Sequence, residues 1–392
     1  MPSAHQRRGK NAKVYYWIQK NRWPRKQSSG SGGKPKGGGY LQSEDEDDDD
    51  DYDFNDGNRA SSSQDDSGRS KWTPYLQSKS SYGYESWNGL HAEERKRLQD
   101  LAARNCQTPT GTVFDTNNTM QYLDKMRSYG THTGLAALVF PLIVPFAGVE
   151  ALRGGLPMSH LPDMIEEPWD ASASLDIELA RYYRIPEPTP YYTVGFPRRS
   201  ALSAQQSERL EQHLSFNGDT NFFQASSDVI FPFLTAEGKD SDGSLNEADK
   251  QNLHYMTLAM RAVVELFKLV GREEELDSRI LGFSISFDYT TVRIYAHYPI
   301  VRKSASGETN VEFYRHEVNA FSITAQNGKE RWTCYRFVMA IYNDWVPHHF
   351  QRICSAIDQL PELRLTVSEN SEESTDSEDE GGAGNGEDDG GD

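Results

Sequence analysis

The sequence predicts an α/β (α+β) fold, a mixed central sheet flanked by helices, with disordered tails at both ends. Three observations carry this expectation. Short apolar, β-prone segments interleave with helix-period segments between about residues 190 and 360. One of them, Asn246 to Val270, places Leu253, Met256, Met260, Val263, Val264, Phe267 and Val270 on a single stripe. Low-complexity and like-charged sequence is confined to the two ends.

The 392 residues carry a net charge of −18, with 36% hydrophobic residues. Ten acids and no base lie between Glu44 and Asp56, eleven acids and no base between Ser368 and Asp392, and ten Lys/Arg with no acid in the first 36 residues. Without those segments the chain retains only −7. The expected organisation is a disordered stretch over 1–88 (basic arm, then acidic and Ser-rich linker), a folded body over 89–365 with a helical lead-in over 89–133, and a disordered acidic tail over 366–392. An aromatic island, Val14-Tyr15-Tyr16-Trp17-Ile18 followed by Arg22-Trp23-Pro24, interrupts the arm and suits a docking peptide or a nucleic-acid-stacking segment.

Several classes fall away. Three cysteines, Cys106, Cys334 and Cys354, have no CxxC spacing and form neither a disulfide framework nor a zinc ribbon. No apolar leader follows the basic start. The longest apolar run, Leu135 to Val149, is shorter than the ~20 residues of a membrane span and contains Pro141 and Pro145. The expectation is an intracellular protein without membrane association, and the Lys/Arg-rich start suits the nucleus better than the cytoplasm.

Within the body, His91 to Arg104 and Asn117 to Ser128 read as helices. Prolines break the apolar run that follows. Tyr191 to Phe196 reads as a strand after Pro186, Pro188 and Pro190, and Ser203 with Gln206 forms a capping box opening a helix to about Leu214. Val229 to Ala236 reads as a buried strand, and Ile280 to Phe287 and Val292 to Tyr298 as strands around a turn. Phe313 to Tyr314 and Ala320 to Ile323 read as shorter strands. Arg331 to Trp345 and Phe350 to Leu360 read as closing helices.

The chemistry centres on Glu237 and Lys239, which end the buried strand. Two positions apart, they share a face at ~6–7 Å and sit on the sheet's rim. Such a carboxylate can hold Mg²⁺, and the ammonium can stabilise charge on an attacked phosphate. The same spacing also describes an ordinary rim ion pair. Other constellations have simpler readings. Gly238 to Asp249 departs from a calcium loop at its first and last positions. His348-His349 suits a helix start. Ser286, Asp288 and His297 lack a nucleophile elbow.

A resemblance now becomes visible. Phe231-Pro232-Phe233-Leu234-Thr235 leading to Glu237-x-Lys239, Ala248-Asp249-Lys250-Gln251-Asn252, Val292-Arg293-Ile294-Tyr295 with His297-Tyr298-Pro299, Phe313-Tyr314-Arg315-His316, Gly328-Lys329-Glu330, Trp332-Thr333 and Arg352 to Asp358 carry it, as does Arg22-Trp23-Pro24 in the arm. From about Pro145 to Pro361 the chain resembles a fungal domain of unknown function of the PD-(D/E)XK nuclease-like superfamily. The resemblance implies a restriction-endonuclease-like sheet and a Mg²⁺-dependent phosphodiesterase site. Its catalytic positions fall on Glu237, Lys239, Gln251 and Glu150, with Glu237 the metal ligand. The superfamily's strand Asp is replaced by Tyr191, whose side chain alternation directs to the face opposite Tyr192, Val194 and Phe196. Asp228 lies ~30 Å along a straight strand from Glu237 and cannot substitute; Asp240 or Asp242 would need a bent turn. The expected function is a nucleic-acid-associated, nuclease-like protein with a degenerate site and weak or no cleavage of DNA or RNA. The alternative is a non-enzymatic scaffold whose acidic runs bind basic partners such as histones.

Overall fold

The computed structural model describes residues 71–115, 119–129, 139–158, 160–170, 177–216, 223–240 and 243–361. The basic arm, the aromatic island, the acid run and the acidic tail lie outside the described residues.

The folded body begins earlier than residue 89. Helix α1 (Trp72–Ser78) and strand β1 (Ser81–Tyr82) precede it and are tied to the rest of the body. Trp72, Tyr75 and Leu76 are buried against Leu253, Ala180 and Ile185. The Ser-rich surroundings conceal this element because its anchor is three residues on a single turn of helix. The lead-in continues as α2 (Ala92–Ala103) and α3 (Thr119–Tyr129). Prolines divide the next apolar run into α4 (Phe140–Ile143) and α5 (Ala147–Leu152).

Strand β2 (Asp163–Ile165), helix α6 (Ile177–Tyr182), β3 (Tyr192–Pro197) and α7 (Ala204–Phe216) follow. The capping box at α7 forms in both directions: Gln206 N donates to Ser203 Oγ at 3.1 Å, and Ser203 N to Gln206 Oε1 at 3.0 Å. Then come β4 (Val229–Gly238), the long helix α8 (Leu245–Leu269), β5 (Gly282–Phe287), β6 (Thr291–Lys303) and β7 (Thr309–Ser322). Helices α9 (Thr333–Ala340) and α10 (Val346–Ile357) close the body.

The strands form one seven-stranded mixed sheet of order β1-β7-β6-β5-β4-β3-β2. Pairs β2/β3, β3/β4, β5/β6 and β6/β7 are antiparallel, whereas β4/β5 and β1/β7 are parallel. The parallel β4/β5 pair requires a crossover, and α8 supplies it. Strand β4 is buried along its whole length, as its unbroken apolar run requires of a central strand. Pro232 cannot donate to the ladder; Phe231 beside it has φ of 44°, and the β3/β4 register shifts there.

The two short segments expected around Phe313 and Ala320 are one strand, β7. Its side chains are largely half-exposed and polar, so the alternation breaks while the ladder to β6 runs from Thr309 to Ser322. The two closing helices are likewise joined through a π turn, Ile341–Trp345. Pro347 has no N–H to give to the carbonyl four residues back, and the wider turn accommodates that gap.

Helix α8 starts on Ser244, whose side chain accepts the Asn246 N–H, and covers one face of β4 and β5. A side chain at Gly282 would lie 2.3 Å from Met256 Cε and 2.8 Å from the Phe233 carbonyl, so glycine permits that close approach. The opposite face is covered by α4, α9, the π turn and α10: Phe283 packs on Phe337 and Trp345, and Phe196 on Phe350. No helix among the described residues is long and apolar enough to cross a membrane.

Candidate functional site

The rim of β4 beside the start of α8 brings together Glu237, Lys239, Gln251 and the backbone of Tyr191. Glu237 is 6% exposed, and its Oε1 accepts the Tyr191 N–H at 3.0 Å. Lys239 Nζ stands 3.9 Å from Glu237 Oε2 and donates to Gln251 Oε1 at 2.6 Å. A side chain at Gly243 would approach Lys239 Cβ to 2.9 Å, so glycine there leaves room for the lysine stem.

Below this rim lies Asn252, which residue-by-residue reading of the sequence missed. Its Oδ1 accepts from Thr235 Oγ1 at 2.8 Å, and its Nδ2 donates to the Ile285 carbonyl and Ser286 Oγ, both at 3.0 Å. One fully buried amide therefore fastens α8 to β4 and β5 together. Gln251 and Asn252 are both buried, so both need partners; in the sequence they follow the polar Asn246, Glu247, Asp249 and Lys250 that open the helix, so the pattern does not single them out.

Glu150 belongs to a different network. It accepts from Arg153 Nη1 at 2.7 Å and Tyr335 Oη at 3.2 Å, on the side of the sheet covered by α9. Nearby, Asp163 Oδ2 accepts from Tyr192 Oη at 2.9 Å and from Gly148 N at 3.2 Å, and Tyr192 Oη takes the Ala147 N–H at 2.8 Å. Tyr342 completes the set by donating to the Pro145 carbonyl at 3.1 Å. Burial raises the Asp163 carboxyl above its ordinary value, with the Gly148 and Tyr192 hydrogen bonds opposing it. Burial likewise pushes the Tyr192 and Tyr342 phenols far up.

Strand register separates the two networks. Glu237 pairs with Ser286 on the face that α8 covers, whereas Asp163 pairs with Val194 and lies with Tyr192 on the other face. Asp163 therefore cannot supply the carboxylate absent at position 191.

Tyr191 departs from its expected direction. Its ring packs edge-on against Phe140 at 4.8 Å, as does Tyr192 at 5.3 Å, and both belong to the main core. Strict alternation is not imposed on it, because β3 begins only at Tyr192. What reaches the site from this position is the amide. A Mg²⁺ site requires oxygen donors; here Glu237 is one carboxylate, and the neighbouring strand offers it an N–H, the positive end of a dipole. These residues do not fit a two-carboxylate metal centre. Among the described residues, no group of three or more His, Cys, Asp or Glu is arranged to hold a metal ion. Asp240 lies within the described residues, while Asp242 lies outside them.

The other histidine candidates are core residues. His297 Nε2 pairs with Ser284 Oγ at 2.7 Å, not with Ser286, and both partners are buried. His349 stacks on Trp345 at 4.4 Å. Burial depresses both imidazoles well below their usual range. The thiol of Cys334 is buried and strongly raised, and that of Cys354 is raised to about 11, so neither is an activated nucleophile.

No curated protein and no solved structure matches the chain. A family profile does match, over residues 121–357, more than half of the chain and all the strands from β2 to β7. By that match the chain belongs to the family described as Domain of unknown function (DUF7924).

Proposed function

We propose that this protein is a nuclease-like domain of PD-(D/E)XK ancestry that associates with nucleic acid through a degenerate site and cuts weakly or not at all. One observation carries the reading: Glu237, Lys239 and Gln251 are linked at the end of a central strand, in the chain order strand, turn, helix, parallel strand. Three antiparallel strands β2, β3 and β4, the crossover α8 and the parallel β5 supply the arrangement that such a site needs. Position 191 supports the degenerate half, because it presents an amide to Glu237 in place of a second carboxylate.

In this site Lys239 keeps an ammonium at the rim, positioned by Gln251, where it can meet a phosphate oxygen. Glu237 is committed to the Tyr191 amide and holds the β3 entry in place. The arrangement favours retaining a phosphodiester over hydrolysing it.

Incubation of labelled single- and double-stranded DNA and RNA with the full chain and Mg²⁺ tests this. The expected result is salt-sensitive binding with the oligonucleotide left intact. Cleavage that Glu237→Gln abolishes would contradict the degenerate-site reading, and absence of binding at low salt would contradict association. Tyr191→Asp is a poor restoration test because the replaced ring belongs to the core.

The scaffold reading rests on the base-free acid runs from Glu44 to Asp56 and from Ser368 to Asp392, all outside the described residues. Histone pull-down compared with and without both acid runs tests it, and equal recovery counts against it.

A further inference from the structure

A cleft of about 340 Å³ opens between the lead-in and the first turns of α8, at the low end of the ~300–1,000 Å³ of small-ligand sites. Residues before the family-matched segment build one wall, among them Tyr82 and Tyr84; Asn246, Asp249, Lys250 and Arg315 line the other. The lead-in is fixed in place: Ser81 Oγ bonds Thr257 Oγ1 at 2.7 Å, Arg261 Nη2 donates to the Lys79 carbonyl at 2.9 Å, and Phe313 N donates to the Ser80 carbonyl at 2.7 Å. The cleft is thus preformed.

Three chemistries meet in it. Tyr82, Tyr84 and Tyr314 form a three-ring cluster: Tyr82 stacks on Tyr314 at 5.0 Å, and Tyr84 packs against Tyr82 at 5.5 Å and edge-on to Tyr314 at 6.0 Å while remaining 60% exposed. An exposed ring on a rigid aromatic base is a stacking platform. Arg315 lies over the Tyr295 ring at 4.1 Å and spends Nε and Nη1 on the carbonyls of Gly83 and Asp249, so Nη2 remains for a ligand. Lys250 adds a second cation to the lining. Asp249 is 4% exposed; its Oδ2 takes Arg293 at 2.7 Å and Tyr295 Oη at 3.1 Å, but its Oδ1 has no hydrogen-bond partner. A buried carboxylate oxygen without a donor is costly and fits a ligand bearing an N–H.

We propose that this cleft holds one unpaired nucleotide of single-stranded nucleic acid, its base stacked on Tyr84, its exocyclic amino group donating to Asp249 Oδ1 and its phosphate held by Arg315 and Lys250. The proposal deepens the nucleic-acid reading above and rests on it. Lys250 and Gln251 are consecutive on α8, so the cleft adjoins the Glu237–Lys239 rim along that helix. An aromatic pocket with a carboxylate also fits a methylated ammonium, but the two cations lining this one favour an anionic ligand.

Fluorescence anisotropy of the full chain with short labelled oligo(dC), oligo(dA) and oligo(dT) tests the proposal. Affinity is expected to be higher for the two amino-bearing bases than for oligo(dT). Tyr84→Ala, at an exposed position, is expected to weaken all three about tenfold while Tyr84→Phe keeps the affinity. Lys250→Ala is expected to lower the salt slope by about one. Binding that Tyr84→Ala leaves unchanged would overturn the cleft while leaving the association intact. Absence of binding to any oligonucleotide would overturn the association itself. Tyr84-dependent capture of a trimethyl-lysine peptide in preference to oligonucleotides would overturn the nucleotide assignment.

Discussion

The two faces of the sheet treat their carboxylates in opposite ways. On the α8 face, Glu237 meets a backbone N–H and an ammonium, and that ammonium is in turn held by the Gln251 side chain at the sheet's rim. On the α9 face, Glu150 and Asp163 sit among the phenols of Tyr335, Tyr192 and Tyr342. The first arrangement keeps charge at a rim where a phosphate can approach. The second satisfies buried acids and stiffens the junction of α5 with β2 and β3. Acid content near a sheet therefore says little about metal chemistry until register assigns each acid to a face.

The largest expected effect that sharpens this contrast is at Asn252, the buried link of the α8 face. Asn252→Leu should cost about 3 kcal/mol, because Thr235, Ser286 and the Ile285 carbonyl each lose a buried partner. Urea denaturation measures this; a loss below about 1 kcal/mol would show that the link is dispensable.

Next is acid sensitivity at His254 of α8, which is buried against Trp72 and Tyr75 of α1. Burial lowers its pKa from 6.5 to about 3, so between those values the unfolded chain binds a proton that the folded chain does not. Stability is therefore fully present above pH 6.5 and is lost as pH falls toward 3, by about 2–3 kcal/mol at pH 4.5. Replacing it in His254→Leu should flatten that part of the stability–pH curve. An unchanged slope would place the acid sensitivity elsewhere, with His297 and His349 the next candidates.

On the opposite face, Tyr192→Phe removes the hydroxyl shared by Asp163 and the Ala147 N–H and should cost about 1–3 kcal/mol. A neutral outcome would mean that Tyr342 repairs the network.

The smallest effect is the pH response of Asp163. Its folded pKa is raised above 3.8, so the folded state holds the proton more tightly than the unfolded one. Its contribution is fully present below the unfolded pKa and is lost as pH rises through the folded value. The stability of the natural protein relative to Asp163→Asn should therefore fall as pH rises from about 4 toward neutrality. A relative gain over that range would reverse the assigned cause.

Where side chains alone decide structure, the sequence was legible. The unbroken apolar run of β4, the stripe of α8 and the Ser203/Gln206 capping box describe their own surroundings. Strand β7 was not legible as a unit, because its ladder to β6 is made by backbone groups while its polar side chains break the alternation. Helix α1 was missed because its anchor, Leu253 on α8, is distant in sequence. At the candidate site, Glu237, Lys239 and Gln251 follow from spacing and resemblance. The Tyr191 amide does not, since every residue except proline carries one and only the fold determines where it points. The resemblance groups Glu150 with Glu237 as the acid of a preceding helix, whereas the fold gives it Arg153 and Tyr335 as partners.

The central claim is that Glu237 is committed to a backbone amide and does not hold a metal. Thermal unfolding of the natural protein and Glu237→Gln across a Mg²⁺ titration tests this most directly. The two melting curves should respond to Mg²⁺ in parallel. A clear stabilisation of the natural protein that Glu237→Gln lacks would contradict the account.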